Sequence, residues 1–196
     1  MNYKSIEYNE CKEVYEPESD TFLLIDNLIL NEGETVLEIG AGTGIVSIAA
    51  SFKAKHVTST DINPYAIKCI KSNIKLNNRD NISVLTSDLF ENIDEKFDLI
   101  LFNTPYLPVS EEEHIDDYYS KAWDGGIDGR EVIDRFLEEV NDYLKDDGRV
   151  QLIQSSLSDN EKTLNYLEKK GLNSEITATQ HEFFEDIVLI TGFKKS

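Results

Sequence analysis

A side-chain amide, a backbone carbonyl and an aromatic ring occur together in Asn103-Thr104-Pro105-Tyr106. This run follows Phe97–Phe102, whose apolar composition is typical of a strand buried on both faces of a parallel sheet. Pro105 has no backbone N–H and therefore ends the strand. Because open α/β sheets bind ligands at the carboxyl ends of their central strands, these four residues are candidates for a reactive site. From these residues alone, a proline turn with a capping Asn is an equal alternative.

A glycine loop, Gly40-Ala41-Gly42-Thr43-Gly44, separates the short apolar strand Thr35–Ile39 from a helix-forming segment. Glycines let the backbone approach a ligand closely, and the N-terminus of the following helix faces that ligand. An acidic residue, Glu38, stands two positions before the first glycine. Asp61 ends the strand His56–Thr60 about 20 residues after the loop, where a carboxylate can accept both hydroxyls of a ribose. These features predict a nucleoside site, with a purely structural turn as the alternative.

Strand and helix patterns alternate along the chain, which predicts an α/β fold around a mostly parallel sheet. Helix-start signals occur at Pro17, at Asn63-Pro64, at Asp128 with Glu131, and at Ser158 with Glu161. The first of these helices is expected to end at Asn31-Glu32-Gly33. The last two strands, Glu175–Thr179 and Ile187–Thr191, are expected to join through a turn near Glu182–Glu185.

The 196 residues are enough for one domain with a sizeable core. We expect residues 1–13, which are polar and aperiodic, to form a flexible arm and residues 14–196 to form the domain. The acidic segment 111–117 is expected to be irregular. No apolar run approaches the ~20 residues of a membrane span, which predicts a protein without a membrane partner. Cys11 and Cys69 lack metal-ligand spacing and indicate reduced thiols in a cytoplasmic protein that binds no metal.

The formal net charge is −19. It argues against nucleic acid as the main partner, because binding a phosphate backbone requires Lys and Arg to release counterions. An acidic surface favours a basic partner, or it serves solubility alone.

Several independent motifs of the sequence together resemble one family. They are Tyr15-Glu16-Pro17-Glu18-x-Asp20-Thr21, Glu38-x-Gly40-x-Gly42-x-Gly44, Asp61-Ile62-Asn63-Pro64, Asp88-Leu89, Asn103-x-Pro105-Tyr106 and Trp123-x-Gly125-Gly126-x-x-Gly129-Arg130-Glu131. The similarity extends from about Val14 to the C-terminus and is to the archaeal and eukaryotic HemK-type protein-glutamine methyltransferases, which are class I S-adenosylmethionine enzymes. Members methylate the side-chain amide of the glutamine in the Gly-Gly-Gln loop of class 1 translation release factors.

The resemblance implies a seven-stranded Rossmann-like class I methyltransferase sheet with helices on both faces and an antiparallel C-terminal strand. The usual strand order, 3-2-1-4-5-7-6, places Ile82–Leu85 at a sheet edge, where free backbone groups can pair with another chain. Relatives use a small zinc-binding activator protein at that edge, so the resemblance implies such a partner here. Bacterial members carry a helical substrate domain ahead of the fold, and too few residues precede Tyr15 to make one.

The resemblance also assigns the S-adenosylmethionine site. The methionine moiety and ribose are expected over the glycine loop, with Asp61 on the ribose hydroxyls. Asp88 is expected to accept the adenine amino group, with Ile62 and Leu89 on either side of the ring. The full implied set for the cofactor is Thr21, Glu38, Gly40, Gly42, Gly44, Asp61, Ile62, Asp88, Leu89 and Asn103.

Methyl transfer to an amide needs help, because the nitrogen lone pair is delocalised into the carbonyl. The Asn103 side-chain oxygen and the carbonyl of Thr104 are expected to hold both amide hydrogens, which orients the nitrogen and favours positive charge on it. Tyr106 is expected to stack on the amide plane, beside Pro105. Thr104 departs from the family's usual Asn-Pro-Pro-Tyr, which places the second position of that motif in question.

Three other functions are compatible with parts of this pattern. The same acceptor pair suits the exocyclic amine of adenine in nucleic acid, against which the net charge argues. A protein-lysine methyltransferase of the same fold is a further alternative. A non-catalytic S-adenosylmethionine-binding subunit is the third, although binding the cofactor alone does not require Asn103 and Tyr106.

Overall fold

The computed structural model describes residues 1–110, 112–115 and 117–195. Glu111 and Asp116 of the predicted irregular segment, and Ser196 of the predicted domain, lie outside the described residues. The strands are β1 (Asn2–Tyr3), β2 (Ile6–Glu7), β3 (Thr35–Ile39), β4 (His56–Asp61), β5 (Ile82–Thr86), β6 (Phe97–Asn103), β7 (Leu144–Ser155), β8 (Leu172–His181) and β9 (Asp186–Lys194). The α-helices are α1 (Ser19–Asp26), α2 (Ile45–Ser51), α3 (Pro64–Leu76), α4 (Glu131–Glu139) and α5 (Asn160–Lys169). Among the described residues, no helix has the length and apolarity needed to cross a bilayer.

The seven strands β3–β9 form one sheet in the order β5-β4-β3-β6-β7-β9-β8. Neighbours from β5 to β7 pair in parallel, whereas β9 is antiparallel to both β7 and β8. This arrangement confirms the predicted fold class, including the antiparallel C-terminal strand and the edge position of Ile82–Leu85.

The apolar run in β6 is explained by its place between β3 and β7. Leu99 and Leu101 belong to the core on one face of the sheet, and Ile100 and Phe102 belong to the core on the other. Successive side chains of a strand point to opposite faces, so a strand covered by helices on both sides must be apolar at every position.

Parallel pairing brings the two chemically interesting segments together. The glycine loop follows β3, Asp61 ends β4, and Asn103 ends β6. Because these strands run in the same direction, their carboxyl ends meet at one edge of the sheet.

Residues 1–13, for which the sequence predicts a flexible arm, are packed against α3 in the structure. β1 and β2 pair as a small hairpin, and Ile6 and Tyr8 are buried. The Asn73 side chain accepts from the Asn9 N–H at 2.9 Å and donates to the Asn9 carbonyl at 3.1 Å. The arm is therefore anchored by two buried side chains in an otherwise polar segment. Two such residues are too few to produce a periodic hydrophobic pattern in the sequence.

A disulfide joins Cys11 to Cys69, with their Cα atoms 6.0 Å apart. The expectation of reduced thiols is therefore wrong for this structure. Two cysteines separated by 58 residues meet because the arm folds back along α3, a tertiary contact that their spacing does not reveal. The predicted cytoplasmic location loses the support it drew from reduced thiols and stays a prediction.

The first helix is shorter than its pattern predicts, since α1 ends at Asp26 instead of near Asn31. Beyond it the chain runs extended beside β7. There the buried Gln151 side chain donates to the Asn27 carbonyl at 3.0 Å and accepts from the Ile29 N–H at 2.9 Å. These tertiary hydrogen bonds replace the helical ones.

Two predicted capping pairs are also wrong. Helix α4 has no side-chain cap: the Glu131 N–H donates to the Gly125 carbonyl at 2.9 Å. Helix α5 is capped by Asp159, which accepts from the Lys162 N–H at 2.9 Å. Ser158, the residue predicted to cap α5, donates its hydroxyl to the Tyr106 carbonyl.

Candidate active site

A cavity of about 330 Å³ lies at the carboxyl ends of β3, β4 and β6. Its wall contains every residue predicted for the cofactor except Gly44, together with Pro105. The residues concerned are Thr21, Glu38, Gly40, Gly42, Asp61, Ile62, Asp88, Leu89 and Asn103. We call this space the donor cavity.

Gly44 lies behind the loop. It is the N-cap of α2 with φ of 81°, and a Cβ built on it would lie 3.0 Å from the Ile70 side chain. This glycine therefore allows α2 to pack closely against α3 and does not face the donor cavity. The structure separates it from the other two glycines of the motif.

Two buried carboxylates, Glu38 and Asp61, lie in the donor cavity wall. Burial raises the pKa of Glu38 to about 8, although a hydrogen bond from the Ser47 hydroxyl opposes the shift. Burial also raises the pKa of Asp61. Carboxylates kept out of water in this way are suited to pairing with a cationic ligand, which would restore their charge.

Asp61 also organises the glycine loop. One carboxylate oxygen accepts from the Gly42 N–H and the other from the Asn63 N–H, each at 2.8 Å. Each carboxylate oxygen has a second lone pair, so both can still accept a ribose hydroxyl.

At the other end of the donor cavity, Asp88 and Leu89 lie in a loop closed by Ser87. The Ser87 hydroxyl donates to the Leu89 carbonyl at 2.9 Å, and Leu89 has φ of 44°, in the left-handed region. One Asp88 oxygen accepts from Arg135 of α4 at 2.9 Å. Ile62 is 38% exposed and also lines this cavity, so it presents apolar surface that a flat ring could cover.

A second cavity of about 310 Å³ adjoins the first. It is lined by Thr104 and Tyr106, the two predicted catalytic residues that do not line the donor cavity. We call it the acceptor cavity. Tyr15, Asn103 and Ala122 line both spaces. Asn103 therefore stands where a methyl donor in one cavity and a methyl acceptor in the other would meet.

The Asn103 side chain is held in one orientation. Its Nδ2 donates to Asp20 Oδ2 at 3.1 Å and to the Thr21 hydroxyl at 3.4 Å. Its Oδ1 is buried and has no hydrogen-bond partner among the described residues. A buried unpaired acceptor costs about 1–3 kcal/mol, which a bound amide N–H would recover.

Asp20 is the centre of this network, and it is only 5% exposed. Its Oδ2 also accepts from the Tyr106 hydroxyl at 3.3 Å, while its Oδ1 accepts from the Thr21 N–H at 2.6 Å. Burial and then the charge of Asp20 raise the pKa of Tyr106, so the phenol stays protonated and donates. One carboxylate thus fixes the direction of both Asn103 and Tyr106.

The loop that follows β6 is fixed from its other side by β7 and by Ser158. The Thr104 hydroxyl donates to the Ile153 carbonyl at 2.7 Å, and the Ser158 hydroxyl donates to the Tyr106 carbonyl at 2.7 Å. Ser158 is held in turn by the buried Arg130, which donates to its carbonyl. The threonine that departs from the family motif therefore ties the loop to β7 through a bond that proline cannot make.

The sequence indicates the reacting groups but assigns Asp20, Arg135 and Ser158 no role in the site. Asp20 directly precedes Thr21 in the Tyr15-Glu16-Pro17-Glu18-x-Asp20-Thr21 motif, and this position is the available signal for its role. Arg135 and Ser158 act through contacts across 47 and 52 residues of sequence, for which there was no local signal.

The sheet order, and the position of the donor cavity at the carboxyl ends of β3, β4 and β6, define the class I methyltransferase fold. The family model "Methyltransferase small domain" matches residues 16–117. A Methanocaldococcus jannaschii protein with the provisional name protein N5-glutamine methyltransferase MJ0928 is 52% identical, over 93% of this chain and 92% of its own length. Human methyltransferase HEMK2 is 34% identical, over 94% of this chain and 91% of its own.

Among solved structures, the E. cuniculi Mtq2–Trm112 complex aligns with a TM-score of 0.75 and 28% identity, over 93% of this chain and 99% of that one. That complex is described as responsible for methylating the translation termination factor eRF1. The chain belongs to the HemK-type protein N5-glutamine methyltransferases, as its motifs indicate. It is accordingly an enzyme that uses S-adenosylmethionine.

Proposed function

We propose that this enzyme methylates the side-chain amide nitrogen of the glutamine in the Gly-Gly-Gln loop of a class 1 translation release factor. The observation that supports the proposal most strongly is the unpaired, buried Asn103 Oδ1 between the donor and acceptor cavities. The solved relative that is described as methylating eRF1 agrees with this substrate class.

The residues around the donor cavity fit S-adenosylmethionine. Glu38 and Asp61 suit its cationic end, Asp61 can accept from its ribose, and Ile62 and Leu89 offer apolar surface to its base. When bound, this cofactor supplies an electrophilic methyl group on a positively charged sulfur.

The protein's own contribution to the reaction is to position the acceptor. Asn103 Oδ1 and the Thr104 carbonyl would each accept one hydrogen of the glutamine amide, which aims the nitrogen towards the donor cavity. Both acceptors also favour the positive charge that develops on nitrogen as it is methylated. Tyr106 provides an aromatic wall of the acceptor cavity. Asp20 acts as a positioning residue through Asn103 and Tyr106.

The test is transfer of labelled methyl from S-adenosylmethionine to purified release factor, to a DNA duplex and to a lysine-rich peptide in parallel. We expect label on the release factor, and its loss when the Gly-Gly-Gln glutamine is replaced by alanine. Label on DNA alone would support the adenine-N6 alternative, and label on the peptide alone would support the lysine alternative. Cofactor binding without transfer to any acceptor would indicate a binding subunit.

We expect the affinity for S-adenosylmethionine to rise with pH up to about pH 8, because the pKa of Glu38 is raised to about 8. A bound cation lowers the pKa of Glu38, so binding of the cofactor releases a proton. Below the raised pKa, the affinity should therefore increase by up to about tenfold for each pH unit. Calorimetry at pH 6.5 and 8.5, in two buffers of different ionisation enthalpy, measures both effects. Glu38→Gln should abolish the proton release. Equal affinity at both pH values would show that Glu38 does not face the cation.

We also propose a small zinc-binding activator subunit on the free edge of β5, which the resemblance of the motifs implies. The solved Mtq2–Trm112 relative, itself a complex of two proteins, supports an activator partner. β5 is an outermost strand, and its Leu85 side chain is 41% exposed. An edge strand with exposed apolar side chains can be covered by a strand from a partner.

Addition of an activator of this kind should raise solubility and methylation rate, and Leu85→Lys should weaken the complex at least about tenfold, since it places a charge in the interface. Ile176→Lys is the matched control, because Ile176 is also 41% exposed but lies on β8 at the opposite edge. Pull-down and titration calorimetry measure the binding. Activity that ignores the added activator, or equal binding by both variants, would contradict this proposal.

A further inference from the structure

The turn between β8 and β9 carries the two most exposed aromatic side chains among the described residues. Phe183 is 91% exposed and Phe184 is 86% exposed. Their rings form an edge-to-face pair with centroids 4.6 Å apart. The Glu182 N–H donates to the Glu185 carbonyl at 2.9 Å and closes a two-residue turn, whose two central residues carry the rings. We call residues 182–185 the aromatic tip.

The aromatic tip is fixed beside the acceptor cavity. Glu182 accepts from the hydroxyl of Ser19, the residue next to Asp20, at 3.5 Å. On the other side, the Asp186 N–H donates to the Ser156 hydroxyl at 3.0 Å. Ser156 directly follows β7, the strand whose Ile153 carbonyl holds Thr104. The tip is therefore hydrogen-bonded to α1, which carries Asp20, and to the segment that follows β7.

The charges around the tip are negative. Glu182 and Glu185 flank the two rings, and Glu18 and Asp20 line the neighbouring acceptor cavity, whose described lining contains no Lys or Arg. Glu185 Oε2 is buried and has no hydrogen-bond partner among the described residues. Its charge is also close enough to contribute to the raised pKa of Tyr106. An exposed aromatic pair beside acidic side chains is typical of a surface that binds a partner.

We infer that the aromatic tip is the docking surface for the protein substrate, binding a basic segment of the release factor next to the glutamine, an inference that rests on the proposed function. The rings would fit an apolar recess of that segment, and Lys or Arg side chains would pair with Glu182 and Glu185. A second copy of this chain fits poorly, because it would bring the same carboxylates and a net charge of −19.

The experiment compares the Phe183→Ser/Phe184→Ser double variant with the unaltered enzyme on two substrates, the intact release factor and a short peptide containing Gly-Gly-Gln. For the intact factor we expect KM to rise about tenfold or more, since exposed aromatics are frequent interface anchors. The peptide is chosen too short to reach the tip, and its kcat/KM should stay within about twofold. The affinity for S-adenosylmethionine should not change.

Ile176→Ser controls for damage to the hairpin, because Ile176 lies on the same strand about 17 Å before its end, at about 3.3 Å per residue. It should leave KM for the intact factor unchanged. Glu185→Gln should raise that KM and weaken its dependence on salt, because it removes one charge from the attraction.

An unchanged KM in the double variant would overturn the docking surface while leaving the proposed function intact. A dimer of the unaltered enzyme in sedimentation that the double variant disperses would also overturn it, since the occupant would be a second copy. An unaltered enzyme that transfers no methyl to the release factor would instead overturn the proposed function and this inference together.

Discussion

Asn103→Ala is expected to lower the rate of glutamine methylation by about a hundredfold or more, the loss seen when one positioned hydrogen-bonding group is removed from an enzyme. The reason is that Asn103 Oδ1 is buried, unpaired and placed between the two cavities. Single-turnover methylation of the release factor at saturating S-adenosylmethionine measures the effect. Cofactor affinity should fall little in this variant, whereas Asp61→Ala should weaken it, because Asp61 also tethers Gly42.

Thr104→Ala and Thr104→Pro are the controls for this prediction. Both keep the residue 104 carbonyl. Thr104→Ala loses only the 2.7 Å hydrogen bond from the hydroxyl to the Ile153 carbonyl, and Thr104→Pro also loses the backbone N–H that donates to the same carbonyl at 3.4 Å. Being before Pro105, the residue is still biased to an extended conformation that keeps its carbonyl aimed. We expect rate changes within about tenfold, or ~1.4 kcal/mol of barrier. If Thr104→Ala were as damaging as Asn103→Ala while the cofactor still bound, the hydroxyl would take part directly and the carbonyl mechanism would be wrong.

The sheet and the position of the site could be predicted from the sequence because both depend on short-range signals. An apolar β6, a glycine loop after β3 and an acidic end to β4 each appear within about ten residues. Parallel pairing then brings Asn103 and Asp61 to one edge without any further information.

The hydrogen bonds that hold the site residues in place could not be predicted in the same way. Asp20 reaches Tyr106 across 86 residues, and Ser158 reaches the Tyr106 carbonyl across 52. Ser158 has the sequence signature of a helix cap, yet Asp159 caps α5 and the Ser158 hydroxyl donates to the Tyr106 carbonyl. Cys11 and Cys69 show the same limitation, since only the folded arm brings them into contact. Local chemistry is visible in a sequence, but competition between local and distant partners is decided by the fold.

The glycine-rich segment, residues 123–129 before α4, packs closely against the loop that follows β6. Gly129 has φ of +70°, and a Cβ built on it would lie 2.3 Å from the Tyr106 carbonyl oxygen and 2.7 Å from the Ser158 hydroxyl. Gly129→Ala must therefore displace the loop that carries Asn103 and Tyr106. We expect it to lower the free energy of unfolding by about 2–5 kcal/mol, combining the left-handed backbone cost with overpacking. The methylation rate should fall about a hundredfold, as expected for a misplacement near 1 Å.

Gly171→Ala is the matched control, because Gly171 has φ of +88° and nothing within 4 Å of a built Cβ. Its free energy of unfolding should fall only by the cost of the left-handed backbone, about 1–2 kcal/mol, and its methylation rate should be unchanged. Urea unfolding measures the stabilities, and single-turnover assays at saturating cofactor measure the rates. Gly129 does not line the donor cavity, so cofactor affinity should be similar in both variants. If the two variants matched in stability and in rate, the Tyr106 carbonyl could yield freely, and the glycine-rich segment would not position the acceptor loop.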